Sequence, residues 1–309
     1  MSLLVLNRFS LCSFLFVFVS YLLYSASARP AELNQVEHPP SRPRNALLSP
    51  HCEPYSTTFS DPSMVSNAND PNSAASRFVA LSPPDTYAIT SDGLQLYLKR
   101  PEGEVSSDKD GVNNKLGEGA TINSTFYADC GKATFEFSVS KCVPGVVGAT
   151  IMIDATEDCP RGDVCADEID VEVVGKDPAQ WQSNVFAPSK ADPEPHFGHF
   201  SETHNFNQNP SFRSLHKYSI EWNSEKINWY LDGQDTPART LLRKNTYIDG
   251  VEHFPTHPLR MQMGIWDGSG AHGTSSWSGG PIDWNSAPER IVMTLRSVTL
   301  DCSICHQSS

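Results

Sequence analysis

The residues best suited to chemistry form one short acidic run, Asp167-Glu168-Ile169-Asp170-Val171-Glu172. Successive side chains of a β-strand point to opposite faces, so a strand here would place Glu168, Asp170 and Glu172 on one face and Ile169 and Val171 on the other. Three neighbouring carboxylates repel one another and do not stabilise a fold. A pair of carboxyl groups about 5 Å apart is what cleavage of a glycosidic bond with retention of configuration requires.

In the retaining reaction one carboxylate attacks the anomeric carbon, and a second carboxyl group protonates the leaving oxygen. The two glutamates could converge over Asp170, which would hydrogen bond to one of them and orient it. Neighbouring negative charge raises the pKa of the acid. Two alternatives remain open at this point: a solvated acidic edge strand, or a calcium site, although calcium more often binds loop oxygens.

Polar amides and aromatic rings accompany the acidic run. The next predicted strand alternates so that two amides and a phenylalanine share a face, and amides beside carboxylates are suitable for sugar hydroxyls. Three later tryptophans stand among glycines, and flat indole rings can stack on sugar rings, with core packing as the alternative for each. We predict substrate binding by six residues: Gln182, Asn184, Phe186, Trp266, Trp277 and Trp284.

Short strands dominate the rest of the chain. Alternating patterns over 94–98 and 133–139 predict half-buried strands, and 218–222 with 226–231 predicts a hairpin around Asn223-Ser224-Glu225. Further strands are predicted over 260–266 and 290–300, and the polar stretch 99–119 is predicted to be a surface loop. No window sustains a helical period. The fold class predicted is therefore all-β, an antiparallel β-sandwich or jelly roll with a concave cleft.

The net charge of the chain limits the classes of binding partner. The 309 residues carry a formal net charge of -13, which argues against a nucleic-acid partner because such binding calls for a basic patch. A neutral polysaccharide fits this charge. No motif indicates a cofactor or a metal site, and we expect neither.

Three segments are predicted. Residues 1–28 combine an apolar stretch with the small-residue site Ala26-Ser27-Ala28 and predict a secretory signal peptide, with an uncleaved membrane anchor as the alternative. Residues 29–51 are rich in proline and predict a disordered leader, and residues 52–309 predict one catalytic domain. The polar end of the chain predicts no membrane anchor after signal removal. We expect a secreted protein of the extracellular space or cell wall.

Seven cysteines follow the predicted signal, so in a disulfide-forming compartment one is left unpaired or forms an intermolecular bond. Cys159 and Cys165 are close enough to staple a short loop. Cys302 and Cys305 predict either a disulfide with each other or a link to Cys52, because no second cysteine pair completes a zinc site. Asn123-Ser124-Thr125 is a glycosylation acceptor and predicts that Asn123 is exposed.

The acidic run, followed by Gln182-Ser183-Asn184, resembles the active-site strands of glycoside hydrolase family 16. The resemblance is greatest to the fungal Crh-type enzymes that cross-link chitin to β-glucan, and it extends over about residues 127–298. It implies a β-jelly roll, with Glu168 as nucleophile, Asp170 as its helper and Glu172 as acid/base. It also implies a cell-wall polysaccharide, β-glucan or chitin, as substrate.

The chain departs from the Crh-type pattern at several positions. Val171 and Val173 stand where aromatic residues are usual, Val185 stands where a tyrosine is usual, and residues 157–166 look like an insertion. Because of these changes, the sequence does not identify the polysaccharide donor or the acceptor.

Four functions are compatible with these residues. We predict first a retaining glycosidase or transglycosylase that transfers chains to a sugar acceptor, with activity that is bell-shaped in pH and optimal on the acidic side of neutral. The second is an endo-β-1,3(4)-glucanase. The third is a lectin-like, non-catalytic carbohydrate-binding protein, and the fourth is a structural wall protein. A complete set of carboxylates favours the enzymes.

Overall fold

The computed structural model describes residues 50–306 except 157–158, 160–162 and 207–210. The predicted signal peptide and nearly all of the predicted leader lie outside the described residues. His51, however, is joined to the folded part, because its backbone N–H donates to Asp129 Oδ2 at 2.7 Å and its ring lies against Tyr127. In the described part of the chain, no helix has the length and apolar character needed to cross a bilayer.

Two eight-stranded sheets form most of the described part of the chain. Sheet A follows the order β14-β13-β12-β7-β18-β5-β4, with β1 paired to β18. Its strands are β1 Tyr55–Thr57, β4 Tyr87–Thr90, β5 Gly93–Lys99, β7 Gly131–Val139, β12 His216–Trp222, β13 Lys226–Leu231, β14 Arg239–Leu242 and β18 Arg290–Asp301.

Sheet B follows the order β11-β10-β9-β8-β17-β6-β3-β2. Its strands are β2 Val65–Asn67, β3 Phe78–Ala80, β6 Ala120–Ala128, β8 Val146–Asp154, β9 Glu168–Val174, β10 Gln180–Phe186, β11 Glu202–Asn205 and β17 Leu259–Asp267. Every pairing is antiparallel except that of β2 with β3. The short hairpin of β15 Tyr247–Ile248 and β16 Val251–Glu252 stands apart from both sheets.

The hydrophobic core lies between the two sheets because alternate residues of each strand point inward. In β7 every second residue is buried, as the sequence pattern predicted. From β9 of sheet B, Ile169, Val171 and Val173 join the same cluster as Trp222 and Trp229 of sheet A. The predicted antiparallel sandwich is confirmed, and so is the hairpin between β12 and β13.

Three details of the prediction are corrected. An α-helix, α1, covers His272–Ser278, where the sequence predicted only loop. The stretch between β5 and β6 is not wholly a surface loop, because Val105 and Asn113 are buried within it. Asn123 is half-buried on β6 rather than exposed, and its side-chain oxygen accepts a hydrogen bond from Gln262 Nε2 at 2.8 Å.

Disulfides fasten the beginning and the end of the described chain to the sandwich. Cys52 is bonded to Cys302 and Cys130 to Cys305, so the predicted link to Cys52 is confirmed and a bond between the two terminal cysteines is wrong. Cys159 is bonded to Cys165, as predicted. Among the described cysteines, Cys142 is left free.

The free thiol gives a first testable prediction. Cys142 donates a hydrogen bond to the Gly175 carbonyl at 2.9 Å, and burial, together with nearby Asp177, raises the pKa of the thiol. The thiolate is the reactive form, so alkylation of the unreduced protein should label Cys142 slowly at about pH 7 and faster at about pH 9. Peptide mapping by mass spectrometry measures this. Labelling of Cys52 or Cys302, or a rate already maximal at neutral pH, would contradict the disulfide pattern or the raised pKa.

Candidate active site

The acidic run forms β9 and has the predicted alternation. Ile169 and Val171 are fully buried between the sheets. Because side chains alternate along a strand, the three carboxylates point to the opposite, outer face of sheet B. Asp170 is 1% exposed, whereas Glu168 and Glu172 are half-buried.

The neighbouring strand β10 brings the predicted amides and phenylalanine beside the carboxylates. The register pairs Glu168 with Phe186, Asp170 with Asn184 and Glu172 with Gln182. On the other side of β9, the residues of β8 opposite the carboxylates are apolar: Ile153, Ile151 and Ala149. Amides therefore flank Asp170 and Glu172 on the β10 side, Phe186 flanks Glu168 there, and apolar groups flank all three carboxylates on the β8 side.

Burial dominates the electrostatics of the three carboxyl groups. It raises the pKa of Asp170 well above its ordinary value, and the charges of Glu168 and Glu172 raise it further. Burial also raises the pKa of Glu168, but a hydrogen bond from Asp170 acts in the opposite direction. In this hydrogen bond a protonated Asp170 donates to Glu168. The bond raises the pKa of Asp170 and lowers that of Glu168, so it favours the carboxylate form of Glu168.

Glu172 behaves differently from Glu168. Burial and the charge of Glu168 raise the pKa of Glu172 to about 8. Glu172 therefore keeps its proton at neutral pH, while Glu168 is the group whose ionised form receives a hydrogen bond. All three carboxyl groups on this face therefore have raised pKa values, and a hydrogen bond from Asp170 opposes the rise at Glu168.

Buried contacts fix the backbone of β9 beneath these side chains. Trp229 of sheet A donates from Nε1 to the Asp170 carbonyl at 2.9 Å, across the core. At the start of the strand, Asp167 Oδ2 accepts from the backbone N–H of Thr256 at 2.7 Å and of His257 at 2.9 Å. The side chain of His257 lies 2.8 Å from the same oxygen, and Asp167 raises the pKa of His257. The sequence predicted none of these positioning contacts.

Two of the predicted tryptophans lie together near the Glu172 end of β9. Trp266 on β17 and Trp277 on α1 stack with ring centres 6.1 Å apart. Trp277 Nε1 donates to Gln182 Oε1 at 3.0 Å, and Gln182 is the residue directly opposite Glu172. Both indoles are half-buried, so ring surface remains accessible.

Trp284 does not belong with them. It is 1% exposed and packs in the hydrophobic core, so the prediction that it stacks on sugar is wrong. Its Nε1 donates to Asp267 Oδ2 at 3.0 Å. Asp267 also accepts from Gly117 N–H and Ser269 N–H, each at 2.8 Å, and thereby holds the chain between β17 and α1 in place. Trp284 thus supports the segment that carries Trp277.

Three of the departures from the Crh-type pattern point to the inner face of sheet B, opposite to the carboxylates. Val171, Val173 and Val185 are each at most 1% exposed, and all three belong to the core between the sheets. They pack against other apolar side chains and do not line the outer face. These three substitutions therefore bear on core packing.

An antiparallel sandwich with a carboxylate strand on its outer face defines a β-sandwich of the glycoside hydrolase type. The chain belongs to the glycosyl hydrolases family 16, whose family profile matches residues 76–286. The prediction of family from the acidic run is confirmed.

Relatives from fungi are similar to the chain. Crh-like protein 2 of Aspergillus fumigatus is 32% identical over 60% of this chain and 40% of its own length. Congo red hypersensitive protein 1 of Saccharomyces cerevisiae is 32% identical over 62% of this chain and 36% of its own length. The chain thus spans well under half the length of these relatives.

Solved structures confirm the fold. A structure titled as a Crh5 transglycosylase in complex with NAG aligns with a TM-score of 0.57 at 22% identity, covering 81% of this chain and 87% of that one. A Bacillus licheniformis β-glucanase aligns with a TM-score of 0.57 at 19% identity, covering 80% and 97%. The sandwich is therefore shared with both of these proteins.

The hydrogen bond from Trp229 to Asp170 gives a second testable prediction. Trp229→Phe leaves the buried Asp170 carbonyl without its indole donor. Trp222→Phe is a matched control, because Trp222 is also in the core but its Nε1 has no hydrogen-bond partner among the described residues. Urea unfolding should show that Trp229→Phe lowers the free energy of unfolding by about 1–2 kcal/mol more than the control does. Equal losses would mean that this hydrogen bond does not stabilise β9.

Proposed function

We propose that this protein is a secreted retaining glycosidase or transglycosylase that acts on cell-wall β-glucan, chitin or both, and transfers the cleaved chain to a sugar acceptor. The observation that carries the proposal is the placement of Glu168, Asp170 and Glu172 on one face with unlike pKa values. Membership of family 16 supports cleavage of glycosidic bonds. Similarity to Crh-like proteins, together with a fold shared with a structure titled as a Crh5 transglycosylase, supports transfer to a sugar acceptor.

The proposed reaction has two steps. Glu172 gives its proton to the glycosidic oxygen as Glu168 attacks the anomeric carbon, so the glycosidic bond breaks and a glycosyl ester of Glu168 forms. Glu172, now ionised, then removes the proton from an acceptor hydroxyl. The acceptor oxygen bonds to the anomeric carbon and Glu168 leaves as a carboxylate. Two displacements return the original anomeric configuration.

Asp170 serves as the helper in this scheme. Its hydrogen bond to Glu168 holds the nucleophile in one orientation and stabilises the carboxylate as it leaves in the second step. Trp229 contributes indirectly, because it fixes the backbone from which Asp170 projects.

The acceptor decides between transfer and hydrolysis. A plain endo-β-1,3(4)-glucanase would use the same three carboxylates with water as the acceptor. The stacked pair Trp266 and Trp277 favours transfer, because it offers an apolar surface beside Gln182 and the acid/base Glu172. A sugar ring that stacks there would bring its hydroxyl to Glu172 and exclude water.

Secretion is supported by the described disulfides. Three disulfide bonds are typical of a protein that folds in an oxidising compartment. A polysaccharide of the cell wall is a substrate that such a protein meets.

Glu168→Gln tests the nucleophile. The change is nearly isosteric and should abolish measurable turnover while the fold persists, because an amide does not attack the anomeric carbon. Glu136→Gln is the matched control, since Glu136 is also a half-buried strand glutamate but lies on β7 of sheet A. Release of reducing ends and of transfer products from glucan and chitin oligosaccharides is the measurement. Turnover of Glu168→Gln at the parent rate would remove Glu168 from its role, and equal loss in both variants would indicate a folding defect.

Transfer is tested by competition between acceptors. With chitin oligosaccharide as donor and labelled glucan oligosaccharide as acceptor, mass analysis should show transfer products increasing with acceptor concentration. Trp277→Ala should lower the ratio of transfer to hydrolysis several-fold. Phe197→Ala, an exposed aromatic beside Phe186 at the Glu168 end, should leave the ratio near that of the parent. Products that stay purely hydrolytic at high acceptor concentration would favour the glucanase, and no turnover of either substrate would favour a binding protein.

The pH dependence tests the acid. Because the pKa of Glu172 is raised to about 8, kcat/KM should fall as the pH rises through that value and the proton is lost. The acidic limb should reflect protonation of Glu168, whose pKa is raised above its ordinary value by burial. This places the alkaline limb above neutral, higher than the sequence alone suggested. A rate that declines already between about pH 5 and 6 would contradict Glu172 as the acid.

A further inference from the structure

A second group of polar side chains converges outside the carboxylate face. The segment 187–201 between β10 and β11 carries Asp192 and His196, and His253 follows β16 directly. Asp192 Oδ2 lies 2.7 Å from His196 Nε2 and 3.4 Å from His253 Nε2. One ligand atom from each of the three residues lies within 4.8 Å of the other two.

The tautomer of His253 directs an Nε2 lone pair towards Asp192. Its Nδ1 lies 3.1 Å from the Ala187 carbonyl, which only accepts, so the proton of the neutral ring sits on Nδ1. Its Nε2 is then an acceptor. That atom is buried and has no hydrogen-bond partner in the described part of the chain, and the residue is 2% exposed. A lone pair buried beside a carboxylate oxygen is unfavourable unless a proton or a metal cation lies between them.

We propose that Asp192, His196 and His253 form a binding site for a divalent transition metal ion of the zinc type. The ligands would be Asp192 Oδ2, His196 Nε2 and His253 Nε2, with a water molecule completing a tetrahedron. The sequence-based expectation of no metal is revised accordingly. The proposal is independent of the function proposed for the carboxylates.

The donor set and the spacing both fit such an ion. Two imidazoles and one carboxylate suit zinc, nickel or copper, whereas calcium and magnesium prefer sites built from oxygen. Metal–ligand bonds of about 2.0–2.1 Å at tetrahedral angles separate ligand atoms by roughly 3.3 Å. The 3.4 Å between Asp192 Oδ2 and His253 Nε2 meets this. His196 would exchange its hydrogen bond to Asp192 for a bond to the metal, with its ring proton moving to Nδ1.

The contact of His253 Nδ1 with the Ala187 carbonyl is also typical of a metal-binding histidine. Metal-bound histidines almost always donate from their second ring nitrogen to a carbonyl or carboxylate, which fixes the tautomer. A second group of potential metal ligands consists of Asp154, Cys165 and His257. It is less suited to a metal ion because the sulfur of Cys165 forms a disulfide with Cys159.

A metal at this point would cross-link two parts of the chain that are distant in sequence. Asp192 and His196 belong to the segment that also carries Phe197, and Phe197 lies against Phe186 with ring centres 5.6 Å apart. Phe186 is opposite Glu168 in the sheet. The ion would thus fasten the 187–201 segment to the end of β16, beside the Glu168 end of the carboxylate face.

The test is metal binding by the untagged, chelator-treated protein. Titration calorimetry with zinc chloride should show one tight site, and cobalt chloride should give the intense visible absorption of tetrahedral Co²⁺. His196→Gln should weaken zinc binding by about 100-fold. His199→Gln is the matched control, because His199 lies in the same segment, is exposed and is outside the cluster, and it should bind zinc as the parent does.

Folding is monitored by circular dichroism, and Asp192→Asn provides a second variant if His196→Gln is unstable. In addition, zinc should slow proteolysis within 187–201 in the parent and not in His196→Gln. Absence of zinc binding by the parent would overturn the proposal. Parent-like binding by His196→Gln and Asp192→Asn, or equal loss in His199→Gln, would also overturn it, since the histidines would then bind metal without a built site.

Discussion

Three carboxyl groups are gathered on one face of one strand without a compensating cation. Among the described residues, no lysine, arginine or histidine forms an ion pair with Glu168, Asp170 or Glu172. Burial of several negative charges side by side would strongly oppose folding. The fold tolerates the arrangement because burial raises the pKa values of all three groups, that of Glu172 to about 8, so that the protein buries fewer negative charges side by side. The proton that the raised pKa retains on Glu172 is also the proton that the proposed chemistry uses.

The remainder of the sandwich holds this arrangement in place. The inward side chains of β9 anchor the strand in the core, and Trp229 fixes the carbonyl of Asp170 from the opposite sheet. The same pKa shift links stability to pH. The folded-state pKa of Glu172, about 8, lies above the value for an unfolded chain, so the folded protein binds more protons between about pH 4.5 and 8. Stability contributed by this group is therefore present at low pH and is lost as the pH rises through that window.

Strand periodicity predicted the local part of the site and could not predict the tertiary part. Alternation alone places Glu168, Asp170 and Glu172 on one face and aligns Gln182, Asn184 and Phe186 on the next strand. It does not tell which of several loop tryptophans turns inward, and Trp284 was misassigned for that reason. Helix α1 is only seven residues long, too short to show a helical period. The Trp229 hydrogen bond and the cluster of Asp192, His196 and His253 join segments that only the folded chain brings together.

We infer that burial and hydrogen bonding separate the pKa values of Glu168 and Glu172. Carbon-13 NMR of protein labelled at the glutamate side-chain carboxyl carbons, assigned with the Glu168→Gln and Glu172→Gln variants, measures both values directly. Glu172 should titrate near 8 in the parent and at lower pH in Glu168→Gln, because the charge that raises its pKa is then gone. A Glu172 that titrates near the ordinary value of about 4.3, unchanged by Glu168→Gln, would contradict the claim.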